Sequence, residues 1–316
     1  MRAWIAALAL AVFAAHAQDY PAKPVRVIVA FPPGSIPELI TRAVTDKVGP
    51  SWGQSIIVEP RPGASGNIGA QLARSAPPDG HTLMMGGLFL ATNPALDLNS
   101  RFAATDFVGV AHVGVTPNLV VVPATLPVSS LRQFVEYARA RPGKLMAAHA
   151  GTGTFGHLST LLLAGHAGIE LVNVPYKGLP QAMPDLLSGQ LSFMVGTNTF
   201  VLPHLRSGKV KALAVNTQAR LDDLPDVPTL VEAGFPPEIV AVQWFGFVAP
   251  EGTPKEIVRR FNGEVGKALK SPEVIDRLEK IGVVISTSSP EQFDELIRSE
   301  TQRWARVIKQ RNLKAD

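Results

Sequence analysis

The sequence has 316 residues, 46% hydrophobic and 18% charged, the make-up of a globular chain rather than a disordered or fibrous one. The formal net charge is +4, and the 30 Lys and Arg residues are scattered without interleaved aromatic clusters, which argues against a nucleic-acid partner. There is no cysteine, which excludes disulfides, thiolate metal sites and a lipidated cysteine anchor.

In chain order, the opening MRAWIAALALAVFAAHAQDY carries Arg2, then an apolar run from Trp4 to Ala15, then Ala15-His16-Ala17. That is the order of a secretory signal peptide, 1–17, cut after Ala17. The run is shorter than the ~20 residues of a membrane span. About 300 residues would remain, a length that suits two domains. VRVIVAF (25–31) reads as a buried strand, PELITRAVTDKV as a helix, SIIVEP as a strand, GNIGAQLARSA as a helix and HTLMMGG as a strand. This is the rhythm of a parallel α/β sheet. It restarts after about residue 120 with SSLRQFVEYARA (helix), KLMAAHA (strand), HLSTLLLAGHAG (helix) and LVNVPY (strand). LPQAMPDLLSG (helix), LSFMVG, VKALAVN and VQWFGFVA (strands) follow. Thr253-Pro254-Lys255-Glu256 has capping-box spacing ahead of apolar Ile257, Val258, Phe261, Val265 and Leu269. Ser289-Pro290-Glu291-Gln292 opens a last amphipathic helix with Phe293, Leu296, Ile297, Trp304, Val307 and Ile308 on one face. Apolar runs near 108–123 and 242–249 mark two chain crossings. The expected division is 18–122 with 246–316 as domain I and 123–245 as domain II, with a ligand cleft between them.

Gly151-x-Gly153-x-x-Gly156 precedes a helix and looks like a dinucleotide fingerprint. That fingerprint needs an acidic residue at the end of the next strand. Here that strand ends in Pro175 and Tyr176, and Glu170 lies before it. Cofactor-recycling NAD chemistry also fits an exported protein poorly, so no cofactor is expected. The physical content of the loop survives: free N–H groups at a helix N-terminus, with the Thr152 and Thr154 hydroxyls beside them, attract a carboxylate as well as a phosphate. Close helix–strand packing is an equal reading of the same glycines. A second loop, Phe31-Pro32-Pro33-Gly34-Ser35-Ile36-Pro37-Glu38, follows the first strand. Ser35 and Glu38 have capping-box spacing. One such loop in each domain, facing across a cleft, suits a small carboxylic acid.

YPAKPVRVIVAFPPG, VEPRPGASGNIGAQLARSAPPDGHTLMMG, GHLSTLLLAGHAGIELVNVPYKG and LPHLRSGKVKALAVNTQARLDDLPDVPTLVEAGF resemble the Bug/TctC family. These are the periplasmic solute receptors of tripartite tricarboxylate transporters. The resemblance covers nearly the whole chain after residue 17. It implies an α/β, two-domain, type II-like periplasmic binding protein fold whose domains are joined by two crossover strands. It also implies a receptor that closes on an organic carboxylate, without catalysis or cofactor, and passes it to the transporter's membrane components. The site residues it implies are Phe31, Pro33, Gly34, Ser35, Ile36, Pro37 and Glu38 in domain I, and Gly151, Thr152, Gly153, Thr154 and His157 in domain II. Gly87, Leu88 and Phe89 after the third strand join them, as do Gly196, Thr197 and Asn198 after the strand at 191–195. In the family the grip is largely through backbone N–H groups and water.

The family's first loop usually reads PPGG-x-x-D. Here Ile36 replaces a small residue and Glu38 stands for the aspartate. Small polar residues after the third strand are replaced by Leu88, Phe89 and Leu90, and a frequent aspartate by Gly196. These changes point to a ligand with a hydrophobic body, aromatic or medium-chain, unless Leu88 and Phe89 are core. No histidine pair has H-x-x-x-H spacing, so no metal is expected. Gly63-Ala64-Ser65-Gly66 is a turn into a helix near Asn67 rather than a nucleophile elbow. Asn93 and Asn198 are ligand donors or turn caps, and Arg61 and Lys177 are surface charges. The expected protein is a monomeric periplasmic receptor. An exported esterase using the same cleft, an NAD enzyme and a receptor feeding a sensor are the alternatives.

Overall fold

The computed structural model describes residues 20–96 and 99–310. The expected signal peptide, 1–17, lies outside the described residues. The chain begins with β1 (Val25–Val29), α1 (Ile36–Trp52), β2 (Ile56–Pro60), α2 (Asn67–Arg74), β3 (Thr82–Gly87), the single turn α3 (Phe89–Thr92) and β4 (Phe107–Thr116). It continues through β5 (Asn118–Pro123), α4 (Leu131–Arg139), β6 (Leu145–His149), α5 (Phe155–Ala167), β7 (Leu171–Pro175), α6 (Leu179–Leu187), β8 (Phe193–Thr197), α7 (Asn198–Arg206) and β9 (Val210–Val215). It ends with β10 (Gln243–Pro250), α8 (Lys255–Ala268), α9 (Pro272–Lys280), β11 (Val284–Ile285) and α10 (Pro290–Gln310).

Two sheets form two lobes. The first has the order β11-β4-β10-β3-β1-β2 and the second β7-β6-β8-β5-β9. Helices cover both faces, so the central strands are apolar on both sides. In β1, Val25, Val27 and Val29 enter one apolar cluster and Ile28 the other, as the period of two requires. The cluster holding Ile28, Trp244 and Phe293 runs on into the second lobe through Phe134, Leu158 and Phe193.

Both sheets are mixed, which corrects the expectation of a parallel one. β10 runs antiparallel to β3 and β4, and β5 antiparallel to β8 and β9. The apolar runs announced buried strands but carried no information on direction. The domain boundaries also shift. Pro117, which has no N–H for a ladder, divides the run at 108–123 into β4 of the first sheet and β5 of the second. Residues 118–122, expected in domain I, therefore pair in the second sheet. Residues 243–245, expected in domain II, pair in the first.

The two proposed capping boxes are absent. Ser35 is the N-cap of α1 but makes no side-chain cap bond. The Thr253 hydroxyl donates to the Pro250 carbonyl, 2.7 Å away, and Pro254 takes the cap position of α8. Ser289 and Gln292 do make the reciprocal pair: each backbone N–H donates to the other's side chain, at 3.0 and 3.2 Å.

Candidate functional site

The loops after β1, β3, β6 and β8 all leave the C-terminal ends of strands, where open α/β sheets receive ligands. A chain of contacts connects them across the lobes. The Phe31 and Phe89 rings meet edge to face, with centroids 5.4 Å apart. Phe89 packs on Gly66, where an added Cβ would lie 2.9 Å from the ring. Next to Gly66, the Ser65 hydroxyl donates to the Thr152 carbonyl at 3.1 Å. That bond joins the first lobe to the glycine loop of the second. A second one joins them beside β8, where the Thr199 hydroxyl donates to the Ile281 carbonyl at 3.3 Å.

Ser65 was missed as a site residue, and its backbone is the local signal. Ala64 and Ser65 both have positive φ, 46° and 54°, in a region L-residues rarely occupy. Asn93 supports the turn. Its amide donates to the Ser65 carbonyl at 2.9 Å and to Asn67 Oδ1 at 2.8 Å, both from full burial. Asn93 is thus a turn-holding residue, and its amide is not directed at a ligand.

The loop after β1 is closed by its acid. Gly34, at φ 78°, donates its N–H to Glu38 Oε2 at 3.3 Å, and Glu38 also binds the Arg42 side chain. Ser35 donates its N–H to the Pro32 carbonyl at 3.2 Å. The Ser35 hydroxyl is buried and has no partner. Pro33 and Gly34 are exposed, and Ile36 and Pro37 pack toward the core as α1 begins.

In the second lobe, Gly151 and Gly153 take φ of 115° and 76°. The Thr154 hydroxyl and N–H both donate to the Gly151 carbonyl. The Gly153 N–H donates to His157 Nδ1 at 3.1 Å, so His157 must carry its proton on Nε2. His149 and His157 are both buried, with ring centroids 4.3 Å apart. Gly156 serves packing: an added Cβ would lie 2.9 Å from the Val195 carbonyl of β8. The backbone N–H groups of Gly34, Ser35, Gly153 and Thr154 are therefore used inside their own loops. The expectation that they stand free for a ligand is corrected.

Leu88 and Phe89 are 5% and 8% exposed and belong to the core cluster, with the Phe89 ring also closing on the turn at Gly66. Gly87 lies under Trp244, where an added Cβ would be 3.3 Å from the Trp244 carbonyl. Gly196 is packed by Val201 and Leu179. Thr197 holds the N-cap position of α7 without a side-chain cap bond, and the Asn198 amide turns to Asp223 at 3.2 Å. Arg61 is paired with Glu59.

The sequence of the tripartite tricarboxylate transporter family receptors, TctC, matches residues 40–313. The chain belongs to that family. The TctC relatives include protein BugT of Bordetella pertussis, 34% identical over 94% of this chain and 92% of BugT. MatC from Rhodopseudomonas palustris, solved with bound malate, superimposes with a TM-score of 0.80 at 32% identity, covering 92% of this chain and 100% of MatC. An R. palustris protein solved with adipate gives 0.81 at 33% identity, covering 93% of this chain and 99% of that one. The TctC chain described here is accordingly a solute-binding receptor with the two-domain periplasmic binding protein fold.

His157 offers a direct check on the glycine loop. His157→Phe keeps a ring against His149 but leaves the buried Gly153 N–H without its acceptor. The expected loss is about 1–3 kcal/mol in urea unfolding. An unchanged midpoint and slope would remove His157 as the loop's anchor.

Proposed function

We propose that this receptor captures a small organic carboxylate with a hydrophobic body in the periplasm and delivers it to the membrane components of a tripartite tricarboxylate transporter. It acts as a monomer, without catalysis, after export by residues 1–17. The observation that carries the reading is the meeting of two hydroxyl-bearing loops, Ser65 on Thr152, above the Phe31–Phe89 pair. The hydroxyls of Ser35 and Thr152 would take the carboxylate by charge-assisted hydrogen bonds, each worth about 1.5–3 kcal/mol. The half-buried Phe31 ring, backed by the core residue Phe89, would face the ligand's apolar part. Malate and adipate in the two related structures are both carboxylates, which supports the ligand class.

Thermal unfolding of the mature protein against aliphatic dicarboxylates, aromatic carboxylates, amino acids and NAD tests this. A ligand at 100 times its Kd adds about 2.7 kcal/mol. For a chain of this size that raises Tm by several degrees. Stabilisation by an aromatic or medium-chain carboxylate is the expected result, and it should fall in Ser35→Ala without loss of the ligand-free Tm. Stabilisation by NAD alone, or by amino acids alone, would overturn the reading.

A further inference from the structure

A cavity of about 1040 Å³ lies between the lobes, away from the loops described above. Its walls come from β4, β10 and α10 of the first lobe, from residues 217–220 with Thr229, Val231 and Glu232 of the second, and from Pro237, Val240 and Val242 of the return connection. Two of its lining residues have buried polar atoms without a partner: Nε2 of His112 and Nε1 of Trp244. His112 is 7% exposed and Trp244 1%. They are set on neighbouring strands with one face in common, because His112 pairs with Gly246, two residues from Trp244. Both pack on the Phe293 ring, His112 stacked at 5.3 Å and Trp244 edge-on at 5.6 Å.

We propose that this cavity is a second ligand site, for an uncharged small molecule that presents a hydrogen-bond acceptor beside a donor on a compact apolar body.

The chemistry of the two groups sets that class. An indole N–H only donates. His112 bonds the Gly114 backbone in a way that favours its protonated form, so the ring donates to that carbonyl. With Nε2 unpartnered, the proton is on Nδ1 and Nε2 is a lone-pair acceptor. The floor thus offers one donor and one acceptor. An anion would meet the imidazole lone pair, and a cation would meet the indole N–H. The charged rim does not change this, because Arg220 is paired with Glu232 and Arg303 with Glu300. Val115, Val240, Val242 and Leu296 supply the apolar wall. Buried polar groups left unpaired are costly, so two on the wall of one cavity call for a partner. The proposal does not rest on the carboxylate reading, since none of these residues belongs to the loops at the other site. A ligand here would touch both lobes and the return connection, and so would bias their relative position.

The probe is 2-piperidone, a lactam whose C=O and N–H lie side by side. N-methyl-2-piperidone, which has the same body and no donor, is the control. The readout is the indole ¹H–¹⁵N signals of the mature protein, with the Trp244 signal assigned by its loss in Trp244→Phe. The expected result is a saturable shift of the Trp244 signal by 2-piperidone, with at least tenfold weaker binding of the N-methyl lactam. His112→Phe retains a ring on Phe293. It should weaken 2-piperidone at least tenfold while leaving the N-methyl lactam unchanged. Absence of a saturable Trp244 shift would overturn the proposal. So would equal affinity for the two lactams, or undiminished 2-piperidone binding in a folded His112→Phe protein.

Discussion

Replacing Gly246 by alanine should lower the unfolding free energy by about 3 kcal/mol, the upper end of the usual cost of overpacking. The added Cβ would fall against the Phe293 ring and 2.6 Å from the Ala111 carbonyl. Neither neighbour can yield cheaply. The carbonyl belongs to β4, paired with β10 along its length. Phe293 is fully buried, with His112 stacked on it and Trp244 meeting it edge to face. The same substitution at Gly263, exposed inside α8 with nothing within 4 Å of an added Cβ, should instead raise stability by about 1 kcal/mol. Urea unfolding of both variants gives the contrast. If Gly246→Ala unfolds at the wild-type midpoint, α10 is not seated as described.

Acid should destabilise the protein through His112. Burial, opposed by the hydrogen bond to Gly114, pushes its pKa down from the ordinary 6.5 to about 4. The folded state thus binds fewer protons than the unfolded chain between these values. The contribution is complete above pH 6.5 and is lost as pH falls from 6.5 toward 4. One bound proton costs about 1.4 kcal/mol for each tenfold rise in acidity, so the loss is about 2 kcal/mol by pH 5 and about 3 kcal/mol by pH 4. Urea unfolding at pH 7 and pH 5 measures it. In His112→Phe the drop between the two should shrink by about 2 kcal/mol. An unchanged drop would mean that His112 titrates normally.

Much of the fold was legible because burial leaves a period in the sequence. VRVIVAF, HTLMMGG and VQWFGFVA lie in β1, β3 and β10, and the predicted face of α10 supplies the buried Phe293, Ile297, Trp304 and Ile308. The helix α7 left no such stripe, since only Val201 of it is buried and Pro203 sits inside it. Strand direction was invisible for a related reason. Apolar character tells how deeply a strand lies, not which way it runs. The glycine loop was half legible. Its third glycine is a packing position against Val195, as the close-packing reading of that pattern requires, while Thr152 meets the other lobe. The partner of that contact, Ser65, is 87 residues away in sequence, in the Gly63–Gly66 turn, whose glycines announce a turn but not what it meets. Glu38 shows how a side chain one methylene longer than aspartate changes a role. It reaches the Gly34 N–H and Arg42 together, so an acid read as a helix cap becomes a clasp for the loop.

The strand order of the first sheet has a consequence for how the chain is assembled. β10 separates β3 from β4, yet about 130 residues lie between the end of β4 and its start. A chain made or threaded N-terminus first therefore holds β3 and β4 with open edges until residue 250 has emerged. The second lobe, β5 to β9, is a continuous stretch and can close its own sheet in the meantime. Unpaired edges are templates for wrong partners. The interval before β10 arrives is thus when this protein is most exposed to aggregation, and slowing its arrival should cost yield before it costs stability.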